Sequence, residues 1–143
     1  VFVRKGEIVR KINHGFVVKR KQSEAILQEM FTRWLDSKGI LYVVSLMGVN
    51  LGPRVGAIRK RMGCRPGVPD ILILQPAGSY HGMAVELKVA GGHISDEQKE
   101  FARRLQANGY YAFIMQPVFD VLTGLKCACD EVEYYLSGNN KKL

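Results

Sequence analysis

The sequence predicts an α/β domain in which helices lie on both faces of a mixed central β-sheet. Apolar stripes of helical period alternate along the chain with short runs rich in Val, Ile and Leu. Two of those runs, Ile71–Leu74 and Met83–Val89, lie a loop's length apart and read as an antiparallel hairpin. With the remaining segments the order becomes α-β-α-β-β-α-β-α, which layers helices over a sheet.

Each element has a local reason. Residues 1–21 carry Arg4, Lys5, Arg10, Lys11, Lys19, Arg20 and Lys21 among the apolar runs Ile8-Val9 and Phe16-Val17-Val18. They read as a basic N-terminal arm or irregular hairpin, either riding on phosphates or forming a solvated terminus. A helix is expected from Ser23, its N-cap, to Ser37, with Gly39 as the stop. Leu27, Met30, Phe31, Trp34 and Leu35 form its buried stripe. Glu24 falls on the stripe's edge, whereas Glu29 points away. Leu41–Leu46 is a strand, followed by a turn with Gly48 and Gly52 and a basic helix opened by Pro53. Gly91-Gly92 ends the second hairpin strand. Ser95 opens a helix that closes at Asn108-Gly109, with Phe101, Ala102 and Leu105 inward. Tyr110–Met115 is a strand, and Phe119–Leu136 is helical with an interruption near Gly124. Residues 138–143 read as a disordered tail around Asn139-Asn140-Lys141-Lys142.

With 143 residues, 47% of them hydrophobic and 24% charged, the chain fits one globular domain with a core of its own. Nothing approaches the roughly 18 consecutive apolar residues of a membrane helix, and no secretory segment is legible. The balance of 21 Lys and Arg against 13 Asp and Glu gives +8. Such a charge favours a polyanion: nucleic acid first, an anionic membrane surface second, with plain solubility as the bland account. Cys64, Cys127 and Cys129 form no disulfide framework and point to a reducing, cytoplasmic compartment. They lack the paired spacing of a zinc site and read as idle thiols.

The hairpin carries the chemistry. Alternation puts Met83, Val85, Leu87 and Val89 on one face and Ala84, Glu86 and Lys88 on the other. Glu86 and Lys88 then point the same way, about 6.7 Å apart. If the loop centres near Gly78, Asp70 stands opposite residue 86 or 87. Two carboxylates that close repel unless a cation or proton is shared, and a hard divalent cation suits them. Lys88 would hold or deprotonate a water, or stabilise a pentavalent phosphate. Glu24 can add a third carboxylate, although a Glu in a first helical turn is also favoured by the helix dipole. Gln98 faces the sheet and also completes a capping box with Ser95. Asp70 as a turn residue after Pro69, and Glu86–Lys88 as an exposed ion pair, are the plain alternatives.

These residues, in this order, resemble the virus-type replication–repair nuclease (VRR-NUC) domain of the PD-(D/E)xK superfamily. The resemblance spans about residues 22–137. It rests on Ser23-Glu24 with Gln28, Gly63, Gly67-Val68-Pro69-Asp70, Val85-Glu86-Leu87-Lys88, Gly91-Gly92, Ile94-Ser95 with Gln98, and Asn108-Gly109-Tyr110. It implies a restriction-endonuclease-like core and a metal site from Glu24, Asp70, Glu86 and the carbonyl of Leu87. It further implies Lys88 as the catalytic lysine and Gln98 as its support, with Mg²⁺ as cofactor and Mn²⁺ able to substitute. Small members of this kind look like phage or bacterial homodimers that cut four-way (Holliday) junctions, which places the protein in bacterial or host cytoplasm.

The expected function is therefore metal-dependent, structure-selective cutting of branched DNA. A less selective restriction-like or flap- and end-processing nuclease is the alternative enzyme, and a basic DNA-binding module the alternative without catalysis. Arg54, Arg59, Lys60, Arg61 and Arg65 are the candidate phosphate contacts, or else a solvated helix face.

Overall fold

A computed structural model describes residues 24–45, 52–118 and 120–139, together with the backbone of three earlier strands. Those strands are β1 (Phe2–Arg4), β2 (Glu7–Lys11) and β3 (Val17–Lys21), paired in order as an antiparallel meander. The basic arm thus contains three strands where an irregular hairpin was expected. The elements that follow are α1 (Glu24–Ser37), β4 (Tyr42–Val44), α2 (Pro53–Arg61), β5 (Ile71–Ile73), β6 (Met83–Glu86), α3 (Asp96–Ala107), β7 (Tyr111–Ile114) and α4 (Val121–Leu136). Their order is the one the sequence predicts. Ser23, Leu46, Gly48, Phe119 and residues 140–143, each part of an expected cap, strand, turn, helix or tail, lie outside the described residues.

The sheet runs β4-β5-β6-β7, with the first two pairings antiparallel and β6–β7 parallel. A parallel pair needs a crossover, and α3 supplies it. One face carries Ile71, Ile73, Met83 and Val85, which pack with Leu27, Phe31 and Leu35 of α1 and Ala128, Val132 and Tyr135 of α4. Each large side chain buried there stabilises the fold by about 1.5–3 kcal/mol. The expected α1 stripe is correct, with Met30 and Trp34 half-buried at its margin.

Gly124 does not interrupt the last helix. It is buried mid-α4, and a Cβ there would lie 2.9 Å from Val118 Cγ2 and 3.2 Å from Leu27 Cδ2. Its bareness lets α4 approach α1. Asp120 caps this helix by accepting the Thr123 N–H at 2.9 Å.

β6 is shorter than the expected Met83–Val89 for a chemical reason. The Leu87 N–H donates to the Asp70 carboxylate at 2.8 Å, which ends regular pairing. The chain rejoins the sheet only through a bridge between Val89 and Val118. α3 begins at a full capping box and ends at Asn108, with Gly109 at φ 82°, as predicted. Its apolar residues Phe101, Ala102 and Leu105 are only half-buried. No described helix is long and apolar enough to cross a membrane.

Candidate active site

The β5–β6 register pairs Ile71 with Val85, so Asp70 stands opposite Glu86. Asp70 follows buried Pro69 and turns one oxygen, Oδ2, back to the Leu87 N–H. On the central strand, Glu86 is 3% exposed and Lys88 5% exposed. They are not the exposed ion pair of the plain alternative, because α3 lies over that face, with Gln98, Ala102 and Leu105 lining a cleft beside Glu86. Lys88 Nζ donates to Glu86 Oε1 at 2.6 Å, and Gln98 Nε2 donates to the same oxygen.

Gln98 performs both functions its position allowed. Its Oε1 accepts the Ser95 N–H at 2.9 Å while its own N–H donates to Ser95 Oγ at 3.2 Å. The side-chain amide remains free to grip Glu86. The helix cap and the Glu86 carboxylate are therefore joined through one residue.

Glu24 enters from the first turn of α1 and places Oε1 3.8 Å from Lys88 Nζ. It meets the same ammonium as Glu86, and no group of three potential metal-ligating side chains is assembled among the described residues.

Charge and burial are out of balance here. Desolvation is the largest influence on Glu86 and pushes its carboxyl up to about 7; Lys88 opposes that rise, while Asp70 and Glu24 add to it. Asp70 is also raised by burial, against the pull of the Leu87 N–H and Lys88. Burial works against the Lys88 charge, yet Glu86, Glu24 and Asp70 together hold its pKa above the ordinary value. One ammonium thus faces three carboxylates.

The donor set fits a hard divalent cation. Asp70 Oδ1 and Glu86 Oε2 accept no hydrogen bond from the described residues. In extended chain a residue's N–H and C=O point to the same side. The Leu87 carbonyl therefore shares the side on which its N–H meets Asp70. Buried oxygens with excess negative charge suit Mg²⁺ or Mn²⁺ better than softer ions.

Two glycines shape the site in ways their sequence positions do not disclose. A Cβ on Gly92 would lie 2.9 Å from both Glu24 Oε1 and the Val89 carbonyl, and 3.2 Å from Lys88 Cδ. Gly67, at φ 79°, packs so closely on the first turn of α3 that a Cβ would overlap the Glu97 carbonyl. The sequence marks both as part of the motifs that carry the resemblance, beside the Pro-Asp and Glu-x-Lys segments, and leaves their packing partners unread.

The basic candidates lie on α2 and the segment after it. Arg54, Lys60, Arg61 and Arg65 are exposed and Arg59 is half-buried. No residue of α2 is buried.

The VRR-NUC domain model matches residues 22–118, a span that includes Glu24, Asp70, Glu86, Lys88 and Gln98. A solved structure described as a VRR_NUC domain protein superposes with a TM-score of 0.66 at 21% identity, covering 87% of this chain and 97% of that one. That likeness speaks to the fold. No curated protein matches the chain. The family match extends over most of the chain and holds every residue of the buried carboxylate site, and so the chain belongs to the VRR-NUC nuclease family.

Proposed function

We propose that the protein is a metal-dependent endonuclease that hydrolyses phosphodiester bonds in branched DNA, such as four-way junctions. The observation that carries this reading is the Glu86 carboxylate: buried, anchored through one oxygen by Lys88 and Gln98, on a strand register that sets Asp70 opposite it. Asp70, Glu86 and the Leu87 carbonyl would hold Mg²⁺ or Mn²⁺, with Glu24 reaching in from α1. A bound cation there supplies charge neutralisation for the phosphate and a lowered pKa for water.

The chain's own groups account for the remaining steps. Lys88 keeps its proton at neutral pH because three carboxylates surround it. It therefore acts as a cation that orients water or stabilises charge on the phosphate, and not as a base. Gln98 fixes the Glu86 rotamer from a rigid helix start. Arg54, Arg59, Lys60, Arg61 and Arg65 contribute phosphate contacts, supported by the +8 net charge. A two-fold homodimer would present two identical sites to related strands of a junction.

Labelled four-way junction, flap and linear duplex, each incubated with the protein and Mg²⁺, test the selectivity. Preferential cutting of the junction is expected. Equal cutting of all three would defeat structure selectivity and leave the restriction-like alternative.

A further inference from the structure

A groove of about 820 Å³ opens along the flank of α3, between that helix, Arg65-Pro66 and the start of β7. Half-buried Phe101, Leu105 and Tyr110 give it an apolar floor, while exposed Arg65 and Arg104 stand at its edge. Leu105 also lines the narrow cleft that contains Glu86 and Gln98. Through Leu105 the groove adjoins the cleft that Glu86 lines. Its size falls within the roughly 300–1,000 Å³ of sites that enclose a small ligand.

The Tyr110 ring is held as a fixed surface. It lies over bare Gly82, where a Cβ would come within 3.2 Å of Cε1. The His81 ring packs edge-on to it, with centroids 5.9 Å apart at 69°. Gly109 leaves room for the His81 ring, since a Cβ there would sit 2.7 Å from His81 Cδ2. Asn108-Gly109-Tyr110, a motif with no role in the carboxylate site, has in this ring a specific product.

The acids at the groove are already engaged. Glu100 takes two hydrogen bonds from Arg103, both at 2.8 Å. Its own backbone N–H and Ser95 hold the Glu97 carboxyl below its ordinary pKa. Arg104 attracts Glu100 only at longer range, and neither it nor Arg65 forms a salt bridge among the described residues. An aromatic floor with two such arginines is complementary to one chemistry: a planar base attached to a phosphate.

We propose that this groove is a subsite for an unpaired nucleotide of the DNA substrate, its base stacked on Tyr110 and its phosphate held by Arg65 and Arg104. The proposal rests on the reading of the protein as a nuclease of branched DNA and deepens it. Base–aromatic stacking is indifferent to sequence because every base has a π-face. A perfect duplex offers no such base without unstacking, whereas a flap carries one and a four-way junction offers one once a pair at its exchange point opens. Preference for branched DNA would then arise partly in this groove.

The test uses a flap DNA carrying 2-aminopurine at the first unpaired position, with binding read in EDTA to prevent cutting. Wild type and Tyr110→Phe should quench the probe, and Tyr110→Leu should not. Tyr110→Leu should weaken flap binding about tenfold or more, given the worth of one stacked base, and leave duplex binding nearly unchanged. Because Tyr110→Leu can disturb the fold, the exposed pair Arg65→Glu and Arg104→Glu provides a second arm, which should lose the quenching and weaken flap binding more than duplex binding. A probe that stays bright on bound flap overturns the proposal. So does equal weakening of flap and duplex by Tyr110→Leu. A third overturning result is a dimer that the double arginine variant splits in sedimentation while the probe stays quenched, for then the groove holds a second copy. Flap cut with Mg²⁺ but never quenching removes the subsite alone, while quenching without any cutting removes the nuclease reading instead.

Discussion

Replacing Gln98 with Glu separates the two functions of that side chain. A glutamate at this position completes a capping box as well as glutamine does, so the bond from the Ser95 N–H, 2.9 Å in the native protein, survives. The other end changes from donor to acceptor and meets Glu86 Oε1. Two ionised carboxylates about 3 Å apart at an effective dielectric near 20 repel by roughly 5 kcal/mol. Sharing a proton avoids that repulsion. Because the Glu86 carboxyl is already pushed up to about 7, it can take that proton at a cost of about 1.4 kcal/mol for each pH unit above this value, hence about 1.4 kcal/mol at pH 8 and almost nothing at pH 5. Denaturant titration of the metal-free protein should show Gln98→Glu destabilised by at least that amount at pH 8 and close to wild type at pH 5. Ser95→Ala, which removes only the cap, should lose about 1 kcal/mol at both. An equal loss at the two pH values would mean that Gln98 does not touch Glu86, and undiminished cutting by Gln98→Glu would remove it from the site.

Four further outcomes follow from the same geometry. Glu86 titrates near 7 in the fold against 4.5 unfolded, so the folded protein binds the extra proton between those values. Stability of the metal-free protein should therefore fall by up to about 3 kcal/mol as pH rises through that window, with Mg²⁺ restoring more at pH 8 than at pH 5 in thermal melts. Lys88→Met should retain DNA binding in a gel-shift assay and lose at least about a hundredfold in cutting rate, as removal of one transition-state charge contact does. Gly67→Ala should destabilise by more than about 2 kcal/mol in urea, since it combines a positive φ with a backbone overlap; Gly91→Ala, with φ 85° but open space, should lose only about 1 kcal/mol. Neutralising Arg54, Lys60 or Arg61 should lower the slope of log affinity against log salt by about 0.9 for each phosphate contact removed.

The Asp70–Glu86 pairing was legible because a hairpin register follows from its turn, and the turn does centre on Gly78, at φ 58° between bridged Ala77 and Tyr80. The cap of α3 was legible because Ser-x-x-Gln acts within one turn. Burial of Glu86 and Lys88 was not, since it depends on β7 joining in parallel from beyond α3. Gly124 reads locally as a helix breaker, and only the approach of Leu27 from α1 shows it as a packing contact. The same holds for Gly67 and Gly92, whose neighbours at Glu97 and Glu24 are far away in sequence. Periodicity reports which face a residue shares; it does not report what meets that face.

Cleavage of a labelled four-way junction with Mg²⁺, Mn²⁺ or EDTA, wild type beside Glu86→Ala, tests the central claim most directly. The account predicts cutting by wild type with either metal, none in EDTA, and none by Glu86→Ala under any condition although it still binds the junction. Cutting that persists in EDTA, or in Glu86→Ala, would contradict it.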